Sequence, residues 1–168
     1  VFKLITSMIR SEQLKKLSWE HHDALKFARN VANGLNHNAD LNQVRSYAVN
    51  IAENFLEPHF KLEENSLISR LTETQLRNEA VVEVLKQHRE FNLLKNRLQQ
   101  AEAADLRPLL DQFRELLKIH VNLEERHFFP FIEQTLSEEQ LLQAEREIDV
   151  GHIVDCSNWP DPFWKTRY

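Results

Sequence analysis

The sequence predicts an all-α fold, an up-down-up-down four-helix bundle with a short fifth helix and an irregular C-terminal tail. Three observations carry that expectation. Apolar residues recur at steps of three and four along most of the chain, the spacing of helices with one buried face. The 168 residues include only 2 glycines and 5 prolines, too few for the frequent turns of a sandwich or barrel. Capping signals divide the periodic stretches into long segments with short connections, and such segments fold most simply into a bundle.

From Ser11 onward, Leu14, Leu17, His21, Leu25, Ala28, Ala32 and Leu35 share one predicted face. Gly34 and the polar run 37–40 close this first helix. Asp40, with Gln43 three residues on, is a capping box that opens the second. The second helix is predicted to reach about Leu71 with a kink at Pro58, because proline lacks a backbone donor and crowds the preceding turn. Thr72 with Gln75 repeats the signal and opens a third helix reaching about Ala101. Asp105 with Pro108 opens the fourth, since proline is tolerated in a first turn. Its stripe carries Leu109, Phe113, Leu116, His120, Glu124, Phe128 and Phe131, and Pro130 should bend or end it. Ser137 with Gln140 starts the short fifth helix, which runs to about Ile148. Each long helix spans roughly 25–30 residues, or ~40 Å at 1.5 Å per residue.

The chain therefore divides into an N-terminal extension (1–10), the bundle (11–135), and a short helix with an aromatic tail (136–168). Trp159, Pro160, Pro162, Phe163 and Trp164 are too apolar for a solvated linker. They are expected to pack on the bundle or on the second subunit of a homodimer, with Cys156 a bystander.

Composition removes several function classes. The net charge is −5 and no basic stripe occurs, which argues against a nucleic-acid partner. No apolar run approaches the ~20 residues of a membrane span. A single cysteine excludes a disulfide framework or zinc ribbon. Gly34 and Gly151 stand alone, so there is no Gly-rich phosphate loop. The residues before Met8 lack the apolar core and cleavage site of a signal peptide, and a cytoplasmic location is expected. Eight histidines stand beside that one cysteine, so nitrogen and oxygen ligands are plentiful.

Those histidines fall where a core should not want them. His21 lies on the apolar face of the first helix. His59 and Glu63 are four residues apart on the second. His88 is in phase with Val81, Leu85 and Phe91 on the third, and His120 and Glu124 are four apart on the fourth. Residues four apart share a helix face. Unpartnered buried carboxylates are costly. Four imidazoles and two carboxylates on facing stripes have one common explanation, a dinuclear metal centre with two bridging glutamates and two histidines per metal. Imidazole suits iron, zinc, copper and nickel, and carboxylates suit hard cations.

The strings LSWEHHDAL (17–25), FLEPHFKLEE (55–64), LKQHREF (85–91) and HVNLEERHFFPFIE (120–133) resemble those of the hemerythrin-like (HHE cation-binding) domain family. They occur in family order, one per helix, over roughly residues 12–135. The resemblance implies His21, His59, Glu63, His88, His120 and Glu124 as ligands of two iron ions, oxo- or hydroxo-bridged. Zinc or nickel can take the same donors in recombinant protein. Respiratory members use a second third-helix histidine, but Val84 and Asn92 stand one turn from His88 here. The chain thus resembles the four-histidine branch, which includes iron-centre repair proteins. The implied function is binding or sensing a small diatomic ligand, dioxygen or nitric oxide, or iron itself. The alternatives are a di-iron enzyme or repair protein acting on peroxide or nitric oxide, and iron storage or donation.

The other histidines read more plainly. His22 is expected on the helix surface, His127 at the bundle edge, and His37 and His152 in solvent. Glu64 and Glu125 are expected to face solvent or pair with basic residues. Tyr47 is a weak candidate proton donor. Leu25, Leu67, Leu85, Phe91 and Phe128 are the expected pocket wall.

Overall fold

The computed structural model describes residues 10–151 and 158–165. The described elements are all helical: α1 (Lys15–Asn36), α2 (Leu41–Ile51), α3 (Glu57–Ser66), α4 (Glu79–Gln100), α5 (Ala103–Leu123), α6 (Phe129–Thr135) and α7 (Glu138–Gly151). No strand occurs among the described residues, and no described helix is long and apolar enough to cross a membrane.

Two of these boundaries are not breaks. A π-helical turn, Ala52–Leu56, joins α2 to α3, and a second, Glu124–Phe128, joins α5 to α6. In each, the N–H after the turn reaches back five residues, Glu57 to the Ala52 carbonyl and Phe129 to the Glu124 carbonyl. Proline follows immediately, at 58 and at 130. A proline ring crowds the carbonyl four residues back and offers it no donor. Widening the turn ahead of it accommodates both defects and lets the helix continue. So Pro58 gives a π turn before it, and Pro130 does not end the fourth helix, which runs on to Thr135.

Other ends shift for local reasons. The Thr72–Gln75 capping box forms, with Thr72 N–H donating to Gln75 Oε1 (2.9 Å) and Gln75 N–H to Thr72 Oγ1 (3.3 Å). It caps only a short 3-10 turn (Gln75–Arg77). The long helix starts at Glu79, where Asn78 accepts from Ala80 N–H at 3.0 Å. The second helix stops at Ser66, and residues 68–70 form a 3-10 turn short of the expected Leu71. The fourth begins at Ala103, which leaves Pro108 in its second turn rather than its first. The Ser137–Gln140 box opens α7 as expected.

The buried face of α1 is Leu17, Ala24, Phe27, Ala28, Val31 and Leu35, while Leu25 is exposed. Apolar side chains form two clusters. One gathers Phe27, Tyr47, Phe55, Phe91, Leu106 and Phe113. The other gathers Leu14, Leu17, Val84, Phe128, Ile132 and Ile148. Each long rod contributes to both.

The tail packs on the first cluster. Tyr47 meets Trp159, Phe163 and Trp164 at ring separations of 5.3, 5.3 and 5.2 Å. Gln43 Nε2 donates to Asp161 Oδ2 at 2.9 Å. Cys156 and His152 lie outside the described residues. Phe163 lies so close to Gly34 that a Cβ there would fall 2.5 Å from its ring. Gly34→Ala should destabilise the full chain, because overpacking costs about 1–3 kcal/mol. In a chain ending at Gly151 that ring is gone and only Val44 Cγ2, 3.2 Å from the same Cβ, must give way. The cost there should be smaller by about 1 kcal/mol or more. Thermal melts of the four proteins measure both values. An equal cost in both backgrounds would show that the tail does not seat against α1.

Candidate metal centre

A belt of buried polar side chains separates the two apolar clusters. Leu17 and Ala24 flank His21, Phe60 and Leu67 flank Glu63, Val84 and Phe91 flank His88, and Val121 and Phe128 flank Glu124. All six residues singled out in the sequence lie in this belt. They form two sets of four, His21–His59–Glu63–Glu124 and Glu63–His88–His120–Glu124, with the donor atoms of each set within 4.8 Å of one another.

The two glutamates belong to both sets. Glu63 Oε1 is 3.2 Å from His59 Nε2, and its Oε2 is 3.5 Å from His88 Nε2. Glu124 Oε2 is 2.9 Å from His21 Nε2, and its Oε1 is 3.2 Å from His120 Nε2 and 3.7 Å from His88 Nε2. Each carboxylate thus presents one oxygen to each histidine pair.

All four imidazoles face inward through Nε2, because Nδ1 is occupied elsewhere. His21 Nδ1 donates to Glu125 Oε1 at 2.6 Å, and His59 Nδ1 to Glu20. His88 Nδ1 donates to Glu64 Oε1 at 2.7 Å, and His120 Nδ1 to Gln87 Oε1 at 2.9 Å. The Gln87 amide nitrogen donates to Glu83 at 3.2 Å, which fixes its oxygen toward His120. Such partners set the tautomer and leave the Nε2 lone pair free. Glu64 and Glu125 therefore do not simply face solvent. Each holds a histidine, although Glu125 also takes a salt bridge from Arg10 at 2.9 Å.

Inside the belt, hydrogen bonding fails. His59 Nε2, His88 Nε2, His120 Nε2, both Glu63 oxygens and Glu124 Oε1 are buried with no hydrogen-bond partner. Orphaned polar atoms are rare in folded proteins, and each costs about 1–3 kcal/mol. Six of them aimed at one another is the arrangement that bound cations satisfy. The residues fit a pair of metal ions with nitrogen and oxygen donors and no sulfur.

The metal-free charge state follows from the same contacts. Burial opposes protonation of His21, but Glu124 and Glu125 outweigh it and raise its pKa. Burial likewise opposes charge on His59, and Glu63 and Glu20 carry it well above the ordinary range. His88 is burdened by burial yet pushed up to about 10 by Glu124, Glu63 and Glu64. His120 goes the other way, to about 4, because burial outweighs its neighbouring carboxylates. Glu124 is held well below the carboxylate range despite burial, chiefly by His120 and His21.

The remaining sequence expectations divide. His22, His37 and His127 are exposed. Tyr47 is buried among aromatic rings in the first cluster, with its hydroxyl bonded by Asn30 at 2.9 Å and its pKa pushed up to about 12 by burial. It is no proton donor to the belt. Leu25 is exposed and is no wall. Phe91, of the same expected wall, does meet His120, with centroids 5.5 Å apart. The other rings against the histidines are Phe129 on His21, Phe55 on His59 and Phe60 on His88, at 5.3, 6.2 and 4.0 Å. Two belt residues escaped the sequence reading, Glu20 and Gln87. Both continue a buried stripe: Leu17, Glu20, Ala24, Phe27 in one case, and Val84, Gln87, Phe91, Leu94 in the other.

Comparison with family models, with curated proteins and with solved structures finds no match to this chain.

Proposed function

We propose that this chain is a hemerythrin-like protein of the four-histidine type, which holds two iron ions and binds or senses a small diatomic ligand. The observation that carries the reading is the set of inward-facing, unpartnered nitrogens and oxygens of His59, His88, His120, Glu63 and Glu124. His21 and His59 would hold one ion, His88 and His120 the other, and the two glutamates would span both. The up-down-up-down course belongs to this reading. It is supported by the order in which successive rods pass the two clusters, Leu17 before Ala24, Phe60 before Leu67, Val84 before Phe91, and Val121 before Phe128.

Iron in such a site supplies redox-active positions that solvent or a diatomic molecule can occupy. The chain's own groups hold the ligands in place and exclude water. Aromatic rings surround the imidazoles, so little is offered to a larger polar substrate. Imidazole and carboxylate donors also accept zinc or nickel. Iron donation is a second reading, favoured by one feature, a surface groove that reaches His88.

Iron-loaded protein is expected to carry close to two irons per chain. Anaerobic, reduced protein should change its optical spectrum on addition of nitric oxide or azide, and should oxidise irreversibly in air. Uptake of one ion or none with all six residues intact overturns the reading. Oxygen uptake reversed by lowering the oxygen pressure would make the protein a carrier instead.

A further inference from the structure

We infer that the two metal positions are unequal: the His21–His59 position retains its ion, whereas the His88–His120 position exchanges its ion through a groove between α3 and α4. The inference rests on the dinuclear reading above. Two independent features of the chain point to it.

The first is the chemistry behind the imidazoles. At the first position both Nδ1 atoms donate to carboxylates. Glu20 is 1% exposed, and Glu125 is fixed by Arg10 (2.9 Å) and by the Ser18 hydroxyl (2.7 Å). A charged acceptor makes the imidazole a stronger donor to metal and pins its ring. At the second position His120 leans on the neutral amide of Gln87. His88 leans on Glu64, whose side chain is 41% exposed, so solvent screens its charge. Glu125 is itself 32% exposed, so the difference lies in what fixes it. One position is backed by a buried carboxylate and one anchored by Arg10 and Ser18. The other is backed by an amide and by a carboxylate with no such anchor among the described residues.

The second feature is access. A groove of about 390 Å³ is lined by Phe60, Lys61, Glu64, His88, Arg89 and Asn92, among others. His88 is the most exposed of the six candidate ligands, at 7%. Lys61, Arg89 and Lys95 line the groove against Glu57 and Glu64, a small positive excess that admits small anionic chelators. His21 and His59 lie deeper, against Phe129 and Phe55. The weaker-held position is therefore also the one nearer the surface, separated from the groove by the His88 ring, whose Nε2 is buried. The species exchanged there is a divalent first-row cation.

The test uses full-length protein loaded with two zinc ions and challenged with excess polyaminocarboxylate chelator. Native mass spectrometry counts the ions that remain. Release should be biphasic, one ion leaving at least about 10-fold faster than the other, the lower end of what an outer hydrogen-bond partner is worth. Glu64→Gln should quicken the fast phase alone, and Glu20→Gln the slow phase alone. Gln87→Glu should slow the fast phase by about 10–100-fold. Because Glu64 is half exposed, its variant keeps the test decisive if the buried substitutions fail to fold. Two ions leaving at a single rate, or Glu20→Gln quickening only the fast phase, would overturn the inference. Loading of fewer than two ions would overturn the dinuclear reading itself, and this inference with it.

Discussion

Glu63→Ala is expected to empty both metal positions together, lowering affinity at each by more than the ~10–100-fold that an outer partner is worth. The reason is geometric. One Glu63 oxygen lies 3.2 Å from His59 Nε2 and the other 3.5 Å from His88 Nε2, so a single truncation removes an oxygen from each set. His59→Ala offers the contrast. It removes a nitrogen from one set only and should leave about one ion bound. Metal analysis of the two variants beside the parent decides the matter, with circular dichroism confirming that both remain helical. A metal content still near two in Glu63→Ala would show that Glu63 does not span the positions. Equal losses in both variants would show that the positions cannot be filled separately.

The six central residues were legible because chemistry and periodicity disagreed on them. His21, His88 and the two His-x-x-x-Glu pairs occupy apolar phases, where burial without a partner is expensive. Glu20 and Gln87 were missed because the stripes were counted through Leu17–His21–Leu25 and Val81–Leu85–His88, which leaves each one position off phase. A stricter phase count would have found them, because Leu17–Glu20–Ala24 and Val84–Gln87–Phe91 step by three and four as a buried stripe does. Glu64 and Glu125 were expected to face solvent or pair with basic residues, and Glu125 does pair with Arg10. The histidine that each also holds was missed for a different reason. Each follows a central glutamate, and adjacency suggested the outer face. An α-helix turns about 100° per residue, which brings such a neighbour to the flank of the buried face, within reach of the next helix's Nδ1.

Helix ends were legible where a side chain closes the ring and misread where the backbone adapts. The Ser137–Gln140 box starts a helix, and the identical geometry at Thr72–Gln75 does not. Asn78 supplies a second cap that starts the helix six residues later than Thr72. The prolines at 58 and 130 were expected to kink or stop their helices. Both are absorbed by a five-residue π turn ahead of them, and such turns are frequent at functional sites. Here the second one begins at Glu124 itself and carries the chain onward so that Phe128 and Phe129 are both buried.

Metal-free protein is expected to lose stability as pH rises above neutrality, while metal-loaded protein holds nearly constant. In the metal-free form His21, His59 and His88 have folded pKa values above their unfolded value of about 6.5. The folded state then binds more protons than the unfolded state, so stability falls as pH rises. Their contribution is whole below about pH 6.5, and for His88 is lost on the way to about 10. Each imidazole can contribute at most about 1.4 kcal/mol per pH unit. His120, lowered to about 4, has the opposite sign, but its effect is complete by about pH 6.5 and does not offset the others above it. Glu124 and Glu125 are depressed, so their contribution is lost only as pH falls below the carboxylate range. Metal-free protein should therefore be most stable near pH 6 and lose a few degrees of melting temperature per unit from pH 7 to pH 9. Metal competes with those same protons, so its affinity rises over that interval. An ion at about 1,000 times its Kd adds about 4 kcal/mol, roughly 8–16 °C for a domain of this size. The gap between the two melting curves should widen from pH 6 to pH 9. Parallel curves across that range would mean that the ions displace no imidazole protons, and His21, His59 and His88 would lose their place as ligands.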